Sequence, residues 1–167
     1  WISLGAAQSY QGRSAEAVDS FRRAEAIAPD HGEVIRNLAH TAVELGDFDA
    51  ARQAYERCLR LDPLDSDAWY GLSALRKHGP ADVDVIDRLK RLLERTDLAA
   101  PARSDLHLAL GKILDDCGQY DAAMMHFHAA RDIPHVTFDP ELLRRQLDAW
   151  IEACTPMALS QETSGST

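Results

Sequence analysis

The sequence predicts an all-α protein: a right-handed α-solenoid of about four helical hairpins, followed by a C-terminal capping helix. Three observations carry this. A ladder of apolar and small residues returns after 34 positions, so that Trp1, Leu4, Gly5, Gly12, Ala17, Phe21, Ala24 and Pro29 are answered by Ile35, Leu38, Ala39, Gly46, Ala51, Tyr55, Cys58 and Pro63. A fixed period of that length marks stacked helix–turn–helix units. Within each unit the apolar residues stand three and four apart, the spacing of a helix with one buried face. Glycine and proline recur where helices must end.

The units are read as 1–31, 32–65, 66–100 and 101–135. In the second, Ile35, Leu38, Ala42 and Leu45 share one face of the first helix, and Ala51, Ala54, Tyr55, Cys58 and Leu61 share one face of the second. Gly5, Ala39 and Gly111 mark the point where a large side chain would hold paired helices apart. Gly12, Gly46 and Gly118 fall where a left-handed backbone closes a helix. Asp30 with Glu33 has capping-box spacing for the helix that follows, and Pro29 and Pro63 stop the second helix of each pair.

The third unit carries Trp69, Leu72, Val85, Leu89 and Leu92, but its turn reads His78-Gly79-Pro80. The fourth carries Leu110, Gly111, Gly118, Tyr120, Ala123, Phe127 and Ala130, with the first ladder position on His107, 38 residues after Trp69. The extra residues belong within Thr96–Arg103. No hairpin buries its faces alone, so stability comes from stacking. A buried Leu or Phe contributes about 1.5–3 kcal/mol, and Phe21→Ala and Phe127→Ala are expected to be badly tolerated. Asp139-Pro140-Glu141 then opens a helix as N-cap, first-turn proline and acidic first turn. Leu142, Leu143, Leu147, Trp150, Ile151 and Cys154 stripe this cap helix, 139–154, and residues 157–167 form a flexible polar tail.

The ladder resembles the tetratricopeptide repeat, in which Trp, Leu-Gly, Ala, Phe, Ala and Pro recur at set places. That resemblance implies an interaction or scaffold module. Trp1 would be the fourth residue of a repeat, and the chain has no initiator Met, so it is read as a fragment with more repeat upstream.

With 27 acidic and 18 basic residues the net charge is −9. Nucleic acid needs a basic face, and is excluded as the main partner. No apolar run reaches the roughly 18 residues of a membrane span, and no membrane partner is expected. Three cysteines, Cys58, Cys117 and Cys154, without CxxC spacing read as reduced buried thiols, which points to the cytoplasm.

No constellation for chemistry emerges. His126 and His128 are two apart on a helix and point to different faces, so they cannot chelate one metal as an i, i+4 pair does. Asp115 and Asp116 read as a solvated edge. There is no phosphate loop and no nucleophile paired with a base. No metal, cofactor or catalytic residue is expected in this segment.

In the resembled family the first helices line a concave groove. The usual groove positions fall here on Glu33, Arg36, Asn37, His40 and Glu44, then Asp67, Tyr70, Lys77 and His78, then Asp105, Lys112, Asp115 and Asp116. Arg36, Asn37, His40, Glu44, Tyr70, Lys77, Lys112 and Asp115 are the groove candidates, for an extended peptide or a docked domain. Ordinary solvated helix faces are the competing reading. The repeats that clamp acidic chaperone tails use Lys, Asn and Arg where this chain has Ile2, Ala6, Asp67 and Gly71; only Asn37 fits, and that variant is disfavoured.

Asp105–Arg131 resembles something narrower, the last repeat before a bacterial sulfotransferase domain. Leu110, Gly111, Lys112, Asp115, Asp116, Gly118, Tyr120, Asp121, Ala123, His126 and Phe127 carry the likeness, which extends over about Ala100–Pro156. It implies a parent enzyme that uses 3′-phosphoadenosine-5′-phosphosulfate, with its cofactor loop beyond this chain. Ser164-Gly165-Ser166-Thr167 lacks the arginine and the apolar strand of that loop. Two further expectations stand beside it: docking of an attached catalytic domain, and self-association through unfinished solenoid ends.

Overall fold

A computed structural model describes residues 1–133 together with Arg144 and Arg145. The expected cap helix 139–154, Cys154 and the tail lie outside the described residues, apart from Arg144 and Arg145, which are helical. Among residues 1–133, eight α-helices run α1 (Ile2–Tyr10), α2 (Ser14–Ile27), α3 (Gly32–Glu44), α4 (Phe48–Leu61), α5 (Ser66–Ala74), α6 (Val83–Leu93), α7 (Ala100–Asp116) and α8 (Tyr120–Asp132), with a 3-10 turn at Pro80–Asp82. No strand occurs among the described residues, and the fold of residues 1–133 is an all-α solenoid.

The punctuation acts as its chemistry requires. Gly12, Gly46 and Gly118 hold φ of 73°, 77° and 74°, reversing the chain after α1, α3 and α7. The side chain of Asp47 accepts from the Ala50 amide at 3.0 Å to cap α4, and that of Asp65 accepts from the Ala68 amide at 3.0 Å to cap α5. The capping box expected from Asp30 and Glu33 does not form. His31 is the N-cap of α3 and makes no side-chain cap, while Asp30 accepts from Arg57 across the repeat.

Consecutive first helices touch: α1 meets α3, α3 meets α5, and α5 meets α7. The backbones of the second helices α2, α4, α6 and α8 stay apart, α2 and α4 meeting through the Arg57–Glu25 ion pair, so the first helices form the inner layer of residues 1–133. Phe21 packs on Gly5 and Phe127 on Gly111, where an added Cβ would stand 2.6 Å and 2.7 Å from the ring. The core runs from Ile35, Ala39 and Tyr55 through Trp69 and Leu89 to Leu106, Leu110, Ile113 and Leu114. Trp1 is not a core residue; it is 51% exposed, with the Arg23 guanidinium 4.9 Å above its ring.

The third hairpin is open. α5 packs on α4 and α7, α6 packs on α7, and the α5 and α6 backbones stay apart. Gly79 precedes a proline and is fully extended at φ −144°, ψ −177°, so the chain leaves α5 straight rather than doubling back. A recess of about 390 Å³ remains, lined by Trp69, Leu72, Leu75, Val85 and Ile113. Beside it the Arg88 guanidinium of α6 lies 4.8 Å from the Trp69 ring centroid of α5. Within the segment expected to hold the extra residues, Ala100–Arg103 form the opening turn of α7, with Pro101 in a first-turn place that needs no amide donor.

Candidate functional site

Residues chosen by groove position converge where α3 faces α5. α3 and α5 each begin after a proline-bearing loop, with Pro29 and Pro63, so residues one turn in share the inner side. Arg36 on α3 donates from Nη1 to Oδ2 of Asp65 at 2.7 Å, and its Nε stands 3.6 Å from Oδ2 of Asp67. Nε2 of His40, one turn further, is 3.3 Å from Oδ1 of Asp67. That hydrogen bond holds Asp67 below the ordinary carboxylate range and lifts His40 above the ordinary histidine range, because the charged pair is favoured. His40 also lies 5.7 Å from the ring of Tyr55. Burial pushes the Tyr55 phenol well above its usual range.

Glu44, at the end of α3, accepts from Ser9 Oγ at 3.0 Å and from Ser14 Oγ at 2.6 Å, tying α3 to the first hairpin. Asn37 is half-buried and lines a hollow of about 330 Å³ between α1 and α3, with Ala6, Tyr10, Glu33, His40 and Glu44 on its walls. Tyr70 on α5 is 44% exposed. Asp105 on α7 accepts from Ser66 Oγ at 3.0 Å; burial raises its pKa against that hydrogen bond, and the charges of Asp67 and Asp65 add to the rise. Tyr10, Asn37 and His40 line one hollow, Tyr70 is exposed on α5, and around them the carboxylates Glu33, Glu44, Asp65, Asp67 and Asp105 outnumber the cation Arg36.

Three candidates sit elsewhere. Lys77 is exposed in the turn beyond α5, which ends at Ala74. Lys112 is committed to structure: its Nζ donates to the Arg76 carbonyl and to Asp116 Oδ2, both at 2.5 Å. Asp115 is exposed at the end of α7. Asp116 is not part of a solvated edge, since it also accepts from the His78 amide at 2.9 Å. His78 is a buried residue rather than a groove residue; its Nδ1 stands 3.4 Å from Asp82, too long for a good hydrogen bond, and burial lowers its pKa.

Sequence reasoning missed Asp65, which is 8% exposed and serves both as cap and as ion-pair partner. The Asp-Ser-Asp string before Ala68 signalled the cap but not Arg36, 29 residues away. It also missed that His126 faces His107 across the last hairpin. Among the described residues no helix is long and apolar enough to cross a membrane.

Residues 10–75 match the tetratricopeptide repeat family, from the end of α1 through α5. The chain is 28% identical over 134 residues to anaphase-promoting complex subunit 3 of Schizosaccharomyces pombe, covering 78% of this chain and 19% of that protein. It is 29% identical over 139 residues to the CTR9 homolog of Arabidopsis thaliana, covering 78% of this chain and 12% of that one. The chain thus spans a fifth or less of the curated relatives it matches. Crystal structures of MamA share the fold: one superposes with a TM-score of 0.56 at 19% identity over 80% of this chain and 75% of its own, another with 0.55 at 20% over 77% and 68%.

Proposed function

We propose that this segment is a non-catalytic protein-interaction module that holds an extended peptide, or docks an attached domain, on the inner face of α1, α3, α5 and α7. The observation that carries the reading is the hollow beside Asn37 and His40, with Tyr70 exposed on the next inner helix. An amide, an imidazole and a phenol can together hydrogen-bond a backbone and stack on a side chain. The Arg36–Asp65 pair braces α3 against α5 beneath them, so the face is presented by packed helices rather than loops. The acidic balance of the chain favours a partner with positive charge.

Arg36→Glu is a poor test of this face, because it would set a second carboxylate against buried Asp65 and unfold what it means to probe. Asn37→Ala with Tyr70→Ala is better. A peptide selected from a displayed library against the full chain should lose at least tenfold in affinity to that double variant, with circular dichroism unchanged. Equal affinity would remove the groove assignment.

A second reading keeps the sulfotransferase resemblance. Asp105–Arg131 falls within one complete hairpin, α7–α8, and the Lys112 and Asp116 of that likeness tie it to the turn after α5. On this reading the segment is the front part of an enzyme and the docked domain is its own. The residues described here do not fit 3′-phosphoadenosine-5′-phosphosulfate, for none forms a phosphate-cradling loop, and no step of sulfuryl transfer is assigned to them. Coding sequence that continues past Thr167 into an apolar strand and Pro-Arg-Ser-Gly-Thr would support it; a stop codon there would end it.

A further inference from the structure

The ladder places one residue pair at the same sequence register, 19 residues apart, in each of the four hairpins. The pair is Trp1 and Ser20 in the first, Ile35 and Ala54 in the second, Trp69 and Arg88 in the third, and His107 and His126 in the fourth. The fourth pair differs in kind. Nδ1 of His107 faces Nδ1 of His126 at 2.9 Å, with ring centroids 5.2 Å apart. The contact sits among others that close α7 on α8: Ser104 Oγ donates to the Ala130 carbonyl at 3.2 Å, and the Phe127 ring lies on Gly111.

Two ring nitrogens at that distance form a hydrogen bond only when one carries hydrogen and the other a lone pair. With both rings neutral, one must be the Nδ1–H tautomer and the other the Nε2–H tautomer. A first added proton can go to the distal Nε2 of the donor ring and leave the bond intact. A second must go to the accepting Nδ1, and two N–H groups then point at each other. Among the described residues the charges that act on the rings are positive: His126 itself and Arg103 of α7 on His107, and Lys90 of α6 on His126. Asp105, on the same helix as His107, is turned to Ser66 of α5. Burial, the largest cause, holds both rings below the ordinary histidine range, and those positive charges add to it.

We propose that His107 and His126 form a proton-counting latch, which holds α8 on α7 while the pair binds no extra proton or one, and releases α8 when it binds two. Because the folded pKa values lie below that of an exposed histidine, the stabilisation is present above about pH 6.5 and is lost as pH falls through the folded values. The corresponding pairs in the other three hairpins contain no histidine, so the opening is local to α7–α8.

The test is amide hydrogen exchange by NMR on the full chain, corrected for the intrinsic pH dependence of exchange. Protection of α8 relative to α4 should fall at least tenfold between pH 7.5 and pH 5, and nitrogen shifts at pH 7.5 should show one ring of each tautomer. His107→Ile with His126→Ala copies the second hairpin and should hold the ratio constant. If that variant does not fold, His126→Ser, which copies the first, takes its place. A flat wild-type ratio, two rings of the same tautomer, or a variant as pH-sensitive as the wild type would overturn the latch.

Discussion

The hydroxyl end of the Tyr55 ring in the second hairpin packs against Gly71 in the third, so close that a Cβ on residue 71 would clash with Tyr55 Cζ. The geometry of Phe21 on Gly5 and Phe127 on Gly111, an aromatic ring over a small residue, is here extended across the repeat boundary. Tyr55 is 3% exposed and reaches from α4 to α5, and its cross-repeat contact makes stacking a matter of one missing methyl group.

Gly71→Ala should therefore destabilise the chain by about 1–3 kcal/mol, the range for overpacking a filled site. Gly32→Ala is the control, because the nearest atom to its added Cβ is Arg36 Nη1 at 3.8 Å, an ordinary contact. Relieving glycine entropy there should stabilise by about 0.4–1 kcal/mol. Urea unfolding of the two variants measures the difference in sign.

Phe21 and Phe127 occupy the same ladder position but not the same environment. Phe21 is 1% exposed, whereas Phe127 is only partly buried. Phe21→Ala should cost about 3–5 kcal/mol, and Phe127→Ala measurably less. Equal losses in thermal or urea unfolding would contradict this ordering.

The His40–Asp67 pair has a pH signature opposite to that of the latch. His40 is raised by its hydrogen bond to Asp67, so its contribution is fully present below the unfolded histidine pKa of about 6.5 and is lost as pH rises through the higher folded value. Asp67→Asn should flatten that loss. Unfolding midpoints compared between pH 6 and pH 8 for the two proteins test it, and an unchanged slope would remove the pair from the account.

Burial pushes the Cys58 thiol up to about 11, leaving almost no thiolate at neutral pH. Alkylation by iodoacetamide, mapped by mass spectrometry, should spare Cys58 in the folded chain and reach half-buried Cys117 before it. Cys58 should become reactive only in denaturant. Prompt labelling of Cys58 under native conditions would show that α4 does not seal against α3.

The helix faces were legible because they are local. A residue that must be buried in a helix has partners three and four places away, and Phe21, Ala39, Leu89 and Leu110 declared themselves by that spacing. Gly12, Gly46 and Gly118 were legible for a similar reason, since a positive φ is a demand on one residue. Groove positions were only partly legible. Arg36, His40 and Asp67 meet, but Lys112 and Asp116 are spent on the turn after α5, because a long side chain takes whatever partner lies within its reach.

By itself the sequence determined the class of fold, the order of the helices, and which side of each is apolar, because period and punctuation are properties of neighbouring residues. Tertiary structure alone decided that α5 leaves α6 for α7, that buried Asp65 serves both a helix end and Arg36, and that two histidines 19 residues apart share a hydrogen bond. Those choices depend on distances between helices, which are set by the fit of whole surfaces and leave no repeating mark along the chain.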